Sequence, residues 1–225
     1  MLSGLMPNIG GPSQRNRVLL SLAAVHSKLL YAASVWAMDG LKTERNRRTL
    51  NKAQRIMAIR ATRCYSSVSD MASILLVGTP PVDLLALERT NIEIMLTEML
   101  TIKEAKKIAR ESTMEIWQVR WTNTTKASWT KRLLPNIQRW ISRLNQISIS
   151  YHLAQGLTGH GCFQEYLFRR SRALDPKCVY CPEPRDTAEH TIFICPRWNE
   201  NRREITRMIR RAPRAEDAED LLYGP

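Results

Sequence analysis

The stretch KCVYCPEPRDTAEHTIFICPRW, residues 177 to 198, gathers three of the chain's five cysteines and one of its four histidines. Its spacing is Cys178-x2-Cys181-x8-His190-x4-Cys195. Two thiolates two residues apart reach one ion from a tight turn, and a following His and Cys complete the tetrahedron that Zn2+ accepts from sulfur and nitrogen. Four protein ligands leave no position for an activated water, so the spacing predicts a structural rather than a catalytic zinc. Pro182 and Pro184 stiffen the loop after the first pair, and Thr187 stands where it would cap a helix carrying His190. Chance clustering is the competing account, and the single compact window argues against it.

Other reactive residues are more isolated. Cys64 and Cys162 read as buried free thiols, although His160, two residues before Cys162, opens a weaker Cys/His nucleophile reading. His26 and His152 stand singly in apolar surroundings and read as packed residues. Chemistry on Mg2+ needs converging carboxylates, but the acids are scattered until RAEDAEDLL, whose Glu216, Asp217, Glu219 and Asp220 read as a solvated acidic tail. No GxxxxGK[ST], GxSxG or HExxH pattern occurs. No active site can be assembled from these residues.

The chain has 225 residues, 44% of them apolar, which is enough for one or two folded domains. An odd number of cysteines with no export-type start argues for thiols in a reducing compartment, and no run of about 18 apolar residues predicts a membrane span. The expected setting is therefore intracellular. A net charge of +13 and a pI near 10.0 imply an anionic partner, most often nucleic acid. The surplus is uneven: +8 over residues 1–70, −3 over 71–100, +9 over 101–177 and −1 over 178–225.

The elements that must carry these groups read as helices. Pro7, Gly10, Gly11 and Pro12 mark an opening loop. Apolar spacing predicts a helix over 16–38, broken at Gly40, and a second over 43–64. In the second, Leu50, Ala53, Met57 and Ala61 form one face, while Arg45, Arg47, Arg48, Lys52, Arg55, Arg60 and Arg63 cover the rest. Ser69 or Asp70 caps a short helix that Gly78 ends, and Pro81 opens a helix extending to about Arg110. Strand-like alternation is confined to QISIS, before Tyr151. Between 111 and 145, Trp117, Trp121, Trp129 and Trp140 alternate with Arg120, Lys126, Lys131, Arg132, Arg139 and Arg143. Such rings could stack on bases; packing is the favoured reading, because Trp117 and Trp121 lie one turn apart. The surrounding cations are available to phosphate on either reading.

Several runs carry a family resemblance: LMPNIGGP, LLYAASVWA, NKAQRIMAIRATRCYSSVS, ILLVGTPPVDLLALER, SWTKRLLPNIQRWISR, LTGHGCF and DTAEHTIFICPRW. Over nearly its whole length the chain resembles the C-terminal part of the reverse transcriptase polyproteins of arthropod non-LTR, LINE-like retrotransposons. It is most similar to the type-1 elements that insert into ribosomal RNA genes. The resemblance implies that a polymerase palm with paired catalytic aspartates lies upstream and that residues 1–110 follow it as thumb-like helices. Residues 111–176 would form a basic, Trp-rich helical linker, 177–200 a CCHC zinc knuckle, and 201–225 a basic, then acidic tail. By resemblance the knuckle ligands are again Cys178, Cys181, His190 and Cys195. Two features depart from the pattern: TRCYSSVS lacks the arginine expected after its tyrosine, and this segment carries neither the palm nor an N-terminal endonuclease domain; compared with retroviral knuckles, the loop from Cys181 to His190 is longer.

The expected fold is thus mainly α: a thumb-like and linker region with a small zinc-knuckle module. The expected function is to position template RNA or ribosomal-gene DNA for target-primed reverse transcription in the nucleus. Arg45, Arg47, Arg48, Lys52, Arg55, Lys131, Arg132 and Arg139 are the candidate nucleic-acid contacts. Zn2+ would be structural, and Mg2+ would belong to polymerase and endonuclease domains outside this segment. The alternatives are a direct contribution to endonuclease activity and a zinc-stabilised protein-interaction domain. The oligomeric state is left open by the sequence.

Overall fold

The computed structural model describes residues 12–223, and all regular structure among them is helical. The expected loop residues Pro7, Gly10 and Gly11 lie outside the described residues. QISIS forms no strand and instead delivers Ile149, 2% exposed, to the core. No single helix among the described residues is long and apolar enough to cross a membrane.

The first expected helix is broken. Helix α1 (Gln14–Ser21) runs through a wide turn, Leu22–His26, and a last turn, Ser27–Leu29. Ala32 then adopts a left-handed conformation (φ 48°) and the chain bends by 71° into α2 (Ala33–Gly40). The bend gives the two halves different partners. Helix α1 lies on α3 (Glu44–Thr62), where the buried Arg17 donates to Arg60 O at 3.3 Å and Pro12 O at 2.9 Å. Ala33 and Ala37 of α2, with Leu30 before it and Leu41 after it, pack against Val82, Leu85 and Ala86 of α5 (Val82–Thr97).

Local chemistry sets most helix ends. Thr43 caps α3, Ser69 caps α4 (Asp70–Val77), and Gly78 ends α4 at φ 75°. Helix α5 begins after Pro80-Pro81, where no side-chain oxygen is at hand to accept from its first amides. The buried Gln54 of α3 supplies one: Val82 N donates to its Oε1 at 2.8 Å, while its Nε2 donates to Pro80 O at 2.8 Å. The helix expected to reach Arg110 stops at Thr97. Met99 takes φ 69°, and a capping box between Thr101 and Glu104 starts α6 (Ile102–Asn123).

Helix α6 buries Ala105, Ala109, Thr113, Trp117 and Trp121, a stripe at four-residue spacing. Trp117, Trp121 and Trp140 are all 0% exposed, and Trp121 and Trp140 donate their indole N–H to Leu134 O and Leu75 O. These rings are packing residues. They join α3, α4, α6 and α8 (Ile137–Arg143) into one core with Leu133 of α7 (Ser128–Leu133) and Ala154 and Leu157 of α9 (Tyr151–Thr158). The expected boundary at 110 falls inside α6.

The acidic C-terminal stretch is only in part the solvated tail expected: Glu216 and Asp220 are exposed, whereas Glu219 is buried. After α10 (Gln164–Arg169), the cysteine-rich loop and α11 (Asn199–Ile209), Ala215 and Ala218 enter the main core. Glu219, at the start of α12 (Ala218–Tyr223), is 8% exposed. Burial of those two alanines draws the acids onto Arg132 and Arg139, which compensate their charge.

Candidate metal centre and the basic surface around it

Cys178, Cys181, His190 and Cys195 converge, with one ligand atom of each lying within 4.8 Å of the others. Sγ of Cys178 and Cys195 are 3.8 Å apart, and Cys181 Sγ lies 3.3 Å from His190 Nε2. Zn–S bonds of about 2.3 Å in a tetrahedron require S···S edges of about 3.8 Å, and Zn–N of about 2.0 Å requires S···N edges of about 3.5 Å. The donor set and its spacing fit such an ion. Cys195 is 1% exposed and His190 4%. Burial pushes the Cys195 thiol above its ordinary pKa, a penalty on the thiolate that a bound cation offsets. Three cysteines and a histidine can thus hold a metal ion such as zinc.

The loop that carries the ligands is built from short-range hydrogen bonds. Cys178 N donates to Glu183 O at 3.0 Å and Tyr180 N to Cys178 Sγ at 3.5 Å, which closes the turn around the first pair. Thr187 Oγ1 accepts from His190 N at 3.0 Å, the expected cap. His190–Ile194 then forms a single wide helical turn, closed by Cys195 N donating to His190 O at 2.7 Å. That extra residue per turn brings His190 and Cys195 to the same side.

Two residues outside the ligand pattern hold this arrangement. Asp186 is 6% exposed; it accepts from Gln164 N at 3.1 Å and Thr191 Oγ1 at 2.6 Å, and its own N–H reaches Pro176 O. Arg202 of α11, 8% exposed, donates to Ile192 O at 3.1 Å, to Asn199 Oδ1 at 2.7 Å and to Cys195 O. It thereby satisfies carbonyls that the wide turn leaves open. Neither role is visible in the ligand spacing; a buried-arginine signal does not exist in a helix as polar as α11.

The centre is docked on the helical body. Phe193 meets Trp129 edge-on at 6.3 Å, and Arg132 grips Glu189 through both terminal nitrogens at 2.8 and 2.6 Å. The same guanidinium donates through Nε to Glu216 at 2.8 Å. Arg139 pairs with Glu219 at 3.3 Å and Asp220 at 2.5 Å, and Lys131 Nζ donates to Thr122 O and Thr124 O. These three candidate phosphate contacts are occupied within the chain: the first two clamp the C-terminal segment and the metal loop to α7 and α8.

The α3 candidates divide differently. Arg55 donates to Ser66 O and Val68 O, and Arg47 and Arg48 share Glu44 at 3.2 and 2.9 Å. Arg45 and Lys52 are exposed and have no ion pair among the described residues. Arg47, Arg48, Lys52 and Arg55, with Arg120 and Lys126, line a groove of ≈ 950 Å³ that also holds Glu44, Asp70 and Asp83. Nearer the metal loop, Arg169, Arg170, Arg172 and Lys177 are exposed. Burial, then Arg170 and Arg169, pushes His160 down to about 4 from an ordinary 6.5. Sequence reading passed over this second cationic cluster, although R-R-S-R was a visible signal.

The remaining thiols and histidines are now placed. Cys64 is buried and its pKa is pushed up to about 11 by that burial. Cys162 is exposed rather than buried. His160 Nδ1 lies 2.9 Å from Ser67 Oγ and its ring stacks on Tyr166 at 4.9 Å. His26 approaches Gln54 at 3.4 Å, whereas His152 is exposed and meets Tyr151 edge to face at 5.6 Å. His152 sits on the outer face of α9, because Ala154 and Leu157 take the inner one.

Comparison with known proteins agrees with the motif resemblance. The chain is 29% identical over 208 residues to the retrovirus-related Pol polyprotein from type-1 retrotransposable element R1 4 of Nasonia vitripennis, covering 86% of this chain and 52% of that protein. It is 26% identical over 216 residues to the corresponding R1 polyprotein of Bradysia coprophila, covering 89% of this chain and 21% of the relative. A further Nasonia R1 polyprotein matches at 29% over 171 residues. The chain thus spans about half or less of the length of these curated relatives. No family model and no solved structure matches. Across most of its length, therefore, this chain matches a segment of the Pol polyproteins of insect type-1 retrotransposable elements R1.

Proposed function

We propose that this segment is a nucleic-acid-binding region of a retrotransposon Pol polyprotein, which positions template RNA or ribosomal-gene DNA for target-primed reverse transcription performed by domains elsewhere in that protein. The observation that carries the reading is the α3 groove, where six cations and three carboxylates line one concavity, a local surplus of +3 in a chain of net charge +13. Arg45 on the same helix, and Arg169, Arg170, Arg172 and Lys177 near the metal loop, extend the positive surface. Zn2+ at Cys178, Cys181, His190 and Cys195 is structural in this reading: four protein ligands close the tetrahedron, and the ion fixes the loop rather than activating water.

The carboxylates nearest the centre support binding over cutting. Asp186 is used by Gln164 and Thr191, Glu189 by Arg132, and Glu165 by Arg185. A pair of Mg2+ ions would need such groups free and converging. The test is a paired assay of the whole chain on a labelled ribosomal-gene duplex and on element RNA. The expected result is binding that weakens steeply with salt, with no cleavage and no primer extension in the presence of Mg2+ and nucleotides. Cleavage that survives purification and is lost in Asp186→Asn or Glu189→Gln would overturn the reading, as would absence of binding at low salt.

A further inference from the structure

The acidic C-terminal segment meets the helical body in two different ways. Ala215 and Ala218 enter the main core, with Leu222 packed against it, and these apolar contacts hold the segment in place. The acids reach sideways. Glu216 accepts from Arg132 Nε at 2.8 Å and Asp220 pairs with Arg139 at 2.5 Å, while Asp217 is used within the segment by Arg211 and by Arg214 N. The side chains of Glu216 and Asp220 are 58% and 72% exposed, and those of Arg132 and Arg139 are themselves half in solvent. Glu219 is the exception, buried against Arg139 with its Oε1 meeting no hydrogen-bond donor among the described residues.

Anchor and ion pairs are therefore separable. Pairs this exposed are weak and are screened by salt, whereas the burial of the alanines does not depend on charge. Rotation of the Glu216 and Asp220 side chains alone uncovers Nε of Arg132 and a terminal nitrogen of Arg139, with the backbone left where it is. The approach to Arg132 is open as well, since it lines a cavity of ≈ 760 Å³ together with Glu216, Pro213, Phe193 and Arg202. To a guanidinium, a carboxylate and a phosphate offer the same paired oxygens, so a site that holds the one accepts the other.

We propose that Arg132 and Arg139 form a second phosphate-binding surface on α7 and α8, which Glu216 and Asp220 keep closed by competing with nucleic-acid phosphates for the same two guanidiniums. While the acids are paired the surface adds nothing to binding, and the apparent affinity is lowered by the fraction of chains in which it is open. The competitor is a polyanion rather than a single ion, because each phosphate that is neutralised releases condensed counterions and an isolated anion has none to release. The proposal rests on the nucleic-acid reading above and adds to it an autoinhibitory contact outside the α3 groove.

The experiment compares the whole chain with Glu216→Gln/Asp220→Asn, which keeps the side-chain shapes and removes both charges, on a labelled DNA duplex by fluorescence anisotropy across a salt series. The variant should bind about fivefold tighter or more at physiological salt, with a slope of log affinity against log salt steeper by about 1.8, the value for two gained phosphate contacts. Adding Arg132→Gln and Arg139→Gln should return the slope to that of the unmodified chain, whereas those two substitutions by themselves should leave it unchanged. Glu93→Gln/Glu115→Gln removes the same charge from exposed acids that pair with neither arginine. That control should tighten binding by less than about twofold, the effect of net charge alone. The melting midpoint is read for each form, and if the double variant loses its fold Asp220→Asn alone carries the test, with a slope change of about 0.9. Equal tightening in the control, tightening that survives loss of both arginines, or no tightening in a folded variant overturns the closed surface and leaves the groove reading standing. Failure of every form to bind at low salt overturns both.

Discussion

Cys195→Ser removes the most buried ligand, and its cost can be worked from the loop it closes. Cys195 is 1% exposed and stands 17 positions after Cys178 in the chain. A cross-link closing a loop of that length removes about 3 kcal/mol of denatured-state entropy in the chain-entropy account. A metal ion held by the four residues would clip the same loop. Other ties persist in the variant: Asp186 with Gln164 and Thr191, Arg202 with Ile192, and Phe193 against Trp129. The loop should therefore loosen without releasing the body, whose core rests on Trp117, Trp121 and Trp140. For a domain of this size 1 kcal/mol shifts the midpoint by about 2–4 °C, so the variant should melt roughly 6–12 °C lower. Calorimetry with and without chelator is the assay, with metal content measured alongside. Chelation should lower the unmodified chain by a similar amount and leave Cys195→Ser where it is. An unmodified chain that carries no zinc and melts identically in chelator would refute the reasoning. So would loss of the buried tryptophan signal at ambient temperature, which would make the loop part of the folding core.

Replacing both Arg45 and Lys52 with Gln should flatten the slope of log affinity against log salt on duplex DNA by about 1.8, the value for two lost phosphate contacts, and leave the melting midpoint unchanged. Arg132→Gln should do the opposite, lowering the midpoint while sparing the slope, because that guanidinium is spent on Glu189 and Glu216. Gln54→Ala should cost about 2–4 kcal/mol, since it strips a buried cap from Val82 N–H and a donor from Pro80 O, and chemical denaturation would show it. His160 should titrate near 4 by NMR; because burial and two arginines favour its neutral form, the stability it contributes is fully present above about 6.5 and declines as pH falls from there toward 4. A midpoint near 6.5 for that ring would contradict its placement against Tyr166.

The sequence by itself located the four residues that can hold a metal ion and the ends of α3 and α4. Both are short-range facts: four such residues within 18 positions can meet whatever the rest of the chain does, and a cap such as Ser69 acts over three residues. The tryptophan stripe on α6 was legible for the same reason, as 117 and 121 share a face in any helix. The break at Ala32 was not, because a left-handed alanine is imposed by the different partners of α1 and α2 rather than by local propensity. Only the tertiary structure decided which cations remain available. Arg132 and Arg139 read like Arg45 and Lys52 in sequence, yet they meet acids 57 to 84 positions away. Gln54 and Arg202 look like surface residues of polar helices until packing aims them at Val82 N–H and at the carbonyls of the metal loop. Charge and ligand type are properties of residues, whereas whether a charge faces solvent or a carboxylate depends on which distant segment the core draws over it.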